Sequence, residues 1–259
     1  MLVSTAPRHY TYDGSFEGLL TVLQTSLNQH PESDITICSE SAASPQLFGQ
    51  TLPITTDSGT AQAVVRNLQM SIGPWVVRHV LKAYLSEIEG IETSLHRYLQ
   101  LGKTVGSRLQ ETQFETVSFP VTRAVQKLHR EEHRLLGLLR FVRLQSEVFY
   151  APCEPDHNVL LLLAPHFCRR FGAQPWIIHD RKRQCCVWGS KNRWSWLLWD
   201  PETTLVLHEE EAAVQELWQQ FFNRVSIPWR RSSRRQRNFM PKRYWKYLVE
   251  KSDSDPFKP

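Results

Sequence analysis

The spacing of apolar residues changes part-way along this chain, and that change sets the class of fold open to it. Up to about Leu136, apolar side chains recur three and four residues apart; beyond it they fall into short runs of strand length. Phe16, Leu19, Leu20, Leu23 and Leu27 make one helical stripe. The turn pair Asp13-Gly14 precedes it, Ser15 is placed to cap it, and Glu17 lies in the first turn, where the helix dipole favours negative charge. Ala63, Val64, Leu68 and Ile72 form a second stripe, and Pro74 opens a third through Trp75, Val76, His79, Val80 and Tyr84. A further helix is expected over 121–136, with Val121, Val125, Leu128 and Leu135 facing inward.

The remainder reads largely as strands. Residues 138–144 and 147–153 are expected to pair through a tight turn at Gln145-Ser146, and 176–180, 185–189 and 194–199 to form an antiparallel meander joined by basic turns. A short strand at 8–12 and another at 35–38, inside a polar, loop-rich stretch over 31–58, complete the list. A helix is expected to start near Pro165, because proline removes a hydrogen bond inside one, and a long helix over 209–225. The fold class is therefore α+β. A mainly helical N-terminal half, about 1–137, packs with an antiparallel β-meander half, about 138–225, and a basic C-terminal arm over 226–259, all as one domain.

Charge then says something about a partner. The chain carries a formal net charge of +5, yet nine basic and no acidic residues fall between Asn223 and Lys246. Without those nine, 22 basic residues face 26 acidic ones. The positive charge is local, which bears on binding and not on fold. The arm interleaves Arg230, Arg231, Arg234, Arg235, Arg237, Lys242 and Arg243 with aromatic residues that include Tyr244 and Trp245. Cations neutralise phosphates and flat rings stack on exposed bases, so nucleic acid is the expected partner, ahead of an acidic protein surface or plain solvation. Ser232 and Ser233 interrupt any helical stripe there, so the first part of the arm is expected to order on binding.

Five cysteines, an odd number in no regular framework, favour reduced thiols and a cytoplasmic location. No apolar run approaches the length of a membrane span, and the first residues lack the pattern of an export signal.

The loop APCEPDHN is the foremost candidate for chemistry. Glu154, Asp156 and His157 stand between two prolines and an apolar run, where they could act as metal ligands or as general acid/base groups; His166, His179 and Asp180 could join them. The structural alternative is that Asp156 caps the following turn and His157 satisfies a buried carbonyl. Tyr12 and Asp13 have an explanation as turn and cap, but could also face a ligand beside a helix N-terminus. Arg140, between neighbours of buried type, Leu139 and Phe141, is expected to pair with Glu131 or Glu154 more readily than with phosphate. No metal-binding, phosphate-cradling or dinucleotide motif is present, so no cofactor is called for. Sharing of one cleft by the loop and the arm would favour an active site; opposite faces would favour a scaffold.

The stretches YDGSFEGLL, REEHRLLGLLRF, YAPCEPDHNVLLLLAPHF, WIIHD and FMPKRYWKYL occur in this order across almost the whole chain. Together they resemble a bacterial family described as DNA metabolism or DNA repair proteins, itself a domain of unknown function. The resemblance implies a domain that occurs alone, beside a radical-SAM protein, or fused ahead of a uracil-DNA glycosylase-like domain. No glycosylase domain follows the last motif here, so glycosylase activity is not carried over. The resemblance supplies a context of DNA repair or modification; with the basic arm, the expected protein is a nucleic-acid-binding accessory protein, DNA favoured over RNA, that works with a radical-SAM partner. The rival readings are an enzyme acting on nucleic acid and a protein–protein adaptor.

Overall fold

The computed structural model describes residues 8–29, 35–43, 50–112, 115–225 and 232–251. It is a mixed α+β protein whose helices lie mainly in the N-terminal part, with a largely antiparallel sheet toward the C-terminus. By its contacts the chain divides into two compact units, Met1–Leu128 and His129–Pro259.

The first unit is built on three parallel strands, β1 (Arg8–Tyr12), β2 (Ile35–Ser39) and β3 (Gln50–Pro53), in the order β2-β1-β3. Strand β3 falls in the stretch expected to be mostly loop; its QTLP sequence has too little apolar alternation to announce itself. Helix α1 (Phe16–Gln29) follows β1 through a turn in which Gly14 takes a left-handed φ of +85°. The Ser15 hydroxyl accepts the N–H of Gly18 at 2.9 Å, the expected cap. Helices α2 (Ser58–Ser71), α3 (Trp75–Leu85) and α4 (Ile91–Val105) come next. Period two in β1 and β2 sends Tyr10, Tyr12, Ile35 and Ile37 into a core with Leu19, Leu23, Leu95 and Leu99 of α1 and α4. Helix α5, Phe119–Leu138, begins in this unit and ends in the second.

The second unit holds five strands in the order β4-β5-β6-β7-β8: β4 (Val142–Arg143), β5 (Phe149–Cys153), β6 (Trp176–Asp180), β7 (Cys185–Ser190) and β8 (Arg193–Leu198). The expected meander is present over β6, β7 and β8, while β5 and β6 run parallel. The expected strand over 138–144 shrinks to two residues, because α5 keeps its helical hydrogen bonds to Leu138. Helix α6, Leu160–Phe171, makes the crossover between the parallel pair and starts five residues before Pro165. Pro165 is tolerated inside it because the proline lies on the exposed side, while Leu160, Leu163, Ala164, Phe167 and Cys168 form a continuous buried stripe. One missing backbone bond is outweighed by that burial.

Trp176 is fully buried beneath this helix, and Gly189 opposite it on β7 leaves it room: a Cβ there would stand 2.3 Å from the indole. Helix α7 (Glu211–Val225) and the short helix α8 (Ser233–Phe239) follow, then a 3₁₀ segment Lys242–Tyr247. The pair Ser232-Ser233 thus opens a helix instead of breaking one, with the Gln236 N–H bonded to the Ser232 carbonyl at 2.9 Å. Of the cysteines, Cys153, Cys168, Cys185 and Cys186 are buried free thiols and Cys38 is half-buried.

Candidate functional site

The candidate site in the second unit is organised by a carboxylate that composition hides among the charged residues of a helix. Glu131 projects from α5 with 2% of its surface exposed. Its Oε1 accepts the backbone N–H of Asp156 at 3.0 Å and its Oε2 that of His157 at 2.8 Å. The Tyr244 hydroxyl donates to the same carboxylate, and Arg243 Nη2 lies 3.1 Å from it. Burial alone would raise its pKa, but the bonds from Tyr244 and from the two backbone amides outweigh burial and lower it. Glu131 is thus an ionised anchor that fixes both the Glu154–Asn158 loop and the C-terminal segment.

Glu154, just past β5, plays a similar part at the rim. It accepts from Lys246 Nζ and from the Tyr247 hydroxyl, and these bonds win over partial burial to lower its pKa. Asp156 Oδ2 lies 3.0 Å from Arg243 Nη2. Asp180, fully buried at the end of β6, takes the N–H groups of Lys182 and Arg183 and pairs with Arg183 Nη1 at 2.7 Å. Arg183 then donates to the carbonyls of Pro155 and Asp156, so Asp180 steadies the same loop from beneath.

The result is a shallow depression of about 470 Å³ lined by Glu154, Pro155, Asp156, Lys182, Lys242, Arg243 and Lys246. Loop and arm therefore do share one surface. Four cations face two carboxylates, which leaves the depression net positive. Arg243 and Lys246 are engaged by the protein's own carboxylates, whereas among the described residues Lys182 reaches the Asp156 carbonyl and neither it nor Lys242 makes an ion pair. Arg234 and Arg237 are exposed on α8; Arg230, Arg231 and the side chain of Arg235 lie outside the described residues. Trp245 donates its indole N–H to the Met240 carbonyl at 2.8 Å, and Lys251 stands over its ring.

Other singled-out residues lie elsewhere. His179 is buried, 2.8 Å from the Tyr150 hydroxyl through Nδ1 and stacked on Trp199 at 3.9 Å; burial, with help from Arg181, pushes its pKa down to about 4. It does not line the depression. His166 sits on α6 with its ring edge-on to Phe167. Arg140 does not pair with Glu131 or Glu154; Nε and Nη2 grip Glu250 at 3.2 and 2.7 Å, with the Trp218 ring 5.2 Å away and its indole N–H on the same carboxylate. Both expected carboxylates are already taken by tyrosines and the arm. In the first unit, Tyr12 is buried with its hydroxyl 3.4 Å from Glu92, and Asp13 accepts from the N–H and hydroxyl of Ser15, which lower its pKa. The turn-and-cap reading of Asp13 holds.

Comparison with family models finds a match over residues 89–250 to a domain of unknown function, DUF4130. The chain belongs to the DUF4130 family. No curated protein and no solved structure shows significant similarity to it. The DUF4130 stretch closes on Glu250, the partner of Arg140, and holds every residue of the depression; Tyr12 and Asp13 fall outside it. Sequence reasoning passed over Glu131, Arg183 and Glu250 as site residues and counted Tyr247 only among the aromatic residues of the arm. The available signal for Glu131 was its helical position: it falls three residues beyond the buried Leu128 and four before the buried Leu135, on the inward face.

Proposed function

We propose that this DUF4130 protein binds nucleic acid, DNA in preference to RNA, through the depression beside the Glu154–Asn158 loop and the exposed cations of the C-terminal arm. The observation that carries the reading is the net positive charge of the depression, with Lys182 and Lys242 not spent on carboxylates among the described residues. Arg243 and Lys246 contribute less, because each is held by a carboxylate; their role is to fix the arm so that Lys242 and Arg237 stand in a defined place. The resemblance to DNA metabolism and repair proteins supports DNA as the ligand and a radical-SAM protein as the partner that supplies the chemistry.

The test is a salt titration of binding to labelled single-stranded and duplex oligonucleotides. Each phosphate contact contributes about −0.9 to the log–log slope on duplex and about −0.7 on single strands. Lys182→Glu with Lys242→Glu should weaken binding and flatten the slope by about two contacts' worth. A slope near zero in the parent protein refutes the proposal.

A second reading, catalysis at Glu154 and Asp156, is favoured by one fact: both carboxylates lie in the same depression as the cations. Against it, Glu154 is held ionised by Lys246 and Tyr247, which suits anchoring better than proton transfer. Glu154→Gln separates the two readings, since it should abolish any turnover under catalysis and leave DNA affinity within about twofold under binding.

A further inference from the structure

The three-stranded sheet of the first unit has one face in the core and one that is polar, and the polar face is the floor of a cavity. Alternation puts Tyr10, Tyr12, Ile35 and Ile37 against α1 and α4. The residues between them face the other way. His9 stands in register with Thr36 on one side and Thr51 on the other, and Thr11 with Cys38. All five line a cavity of about 710 Å³, within the size range of small-molecule sites. Parallel sheets are ordinarily covered by apolar packing on both faces, so a floor of hydroxyls, an imidazole and a thiol is unusual. The Nε2 atom of His9 is buried and has no hydrogen-bond partner among the described residues.

The rim sets the charge. Glu87, Glu89 and Glu92 line the cavity at the carboxyl end of the strands, and among the described residues no lysine or arginine does. Glu92 is fixed in the first turn of α4, with the Tyr12 hydroxyl 3.4 Å from it. Burial raises the pKa of Glu92, the mark of a carboxylate short of solvation that gains most from a cation. The half-buried Tyr84 supplies aromatic surface on the wall, and such a ring attracts positive charge. A phosphate or carboxylate ligand would meet carboxylates at the rim, with no lysine or arginine among the described lining residues to neutralise it.

We propose that this cavity binds a small organic cation, an amine or alkylammonium compound, with Glu92 as its principal counter-charge and the threonine floor accepting its polar substituents. The site is separate from the nucleic-acid surface and stands or falls independently of it.

Choline and dimethylbutanol, its uncharged carbon isostere, are the probes, with inorganic phosphate as the anionic control. Calorimetric titration of the full chain should show saturable binding of choline, roughly tenfold tighter than its isostere, and none of phosphate; one charge-assisted contact accounts for that ratio. Glu92→Gln should bring choline down to the affinity of the isostere. Thr36→Lys, an exposed strand position that places a cation in the floor, should abolish choline binding with the circular dichroism spectrum unchanged, and serves as the test if the Glu92 variant does not fold. Equal affinity for choline and its isostere, no binding of choline, or tighter binding of phosphate each overturns the proposal.

Discussion

Replacing Glu131 by glutamine tests the account of the second unit at its centre. The glutamate takes two backbone amides, a tyrosine hydroxyl and a guanidinium, all donors, on a side chain with 2% exposure. Glutamine keeps the shape, but its amide nitrogen must turn toward at least one of those donors, and the remaining bonds lose their charge assistance. Hydrogen bonds to charged groups contribute about 1.5–3 kcal/mol each, and leaving a buried donor unmatched costs about 1–3 kcal/mol. The expected loss is about 3 kcal/mol, or on the order of a hundredfold in the unfolding constant. With a urea slope of about 2 kcal/mol/M, the midpoint should fall by about 1.5 M. Tryptophan fluorescence isolates the relevant unit, because of the nine tryptophans only Trp75 lies outside residues 129–259. A Glu131→Gln midpoint within about 0.3 M of the parent, at unchanged slope, refutes the reasoning.

Acid unfolding should carry the same signature. Glu131, Glu154 and Glu250 all have lowered pKa values in the folded chain, so on acidification the unfolded chain takes up protons first. Their contribution is present above the ordinary glutamate value of 4.5 and is lost as pH falls through the folded values; Glu131→Gln should make the acid limb shallower by one group, read from unfolding free energies over a pH series. Glu250→Gln leaves Arg140 with half its partner beneath Trp218 and should destabilise by about 3 kcal/mol, measured in the same urea assay; a neutral result would show that Arg140 is not anchored there. Gly189→Ala forces a methyl group against the buried Trp176 indole and should cost about 2–3 kcal/mol with a blue or red shift in emission, whereas unchanged emission and stability would contradict the close approach.

Helical stripes and strand lengths were legible because burial period and apolar run length are written directly into sequence: Leu19, Leu23 and Leu27 on one helix, the short apolar run at 176–180 on another element. The end of the α5 helix was not, since Leu138 and Leu139 suit either period. Pro165 misled because a local rule was applied without knowing which side of α6 faced solvent. Of the candidate site, the loop residues and the arm were both visible. What joined them was not: the contacts of Glu131 with Tyr244 and of Glu154 with Tyr247 span 113 and 93 residues, beyond any periodicity. The cavity of the first unit was foreshadowed only by Tyr12, and the register that aligns His9, Thr36 and Thr51 could not be read without the pairing of β3.

The distance between Glu131 and Tyr244 along the chain has a consequence for how the protein is made. When the ribosome has delivered α5, the buried end of Glu131 still lacks the tyrosine and arginine that arrive more than a hundred residues later. At a synthesis rate of about 20 residues per second, that interval is on the order of five seconds. Through it the later strands and α6 emerge while Glu131 can hold only the amides of Asp156 and His157, so its set of donors is completed only when the segment with Arg243 and Tyr244 arrives.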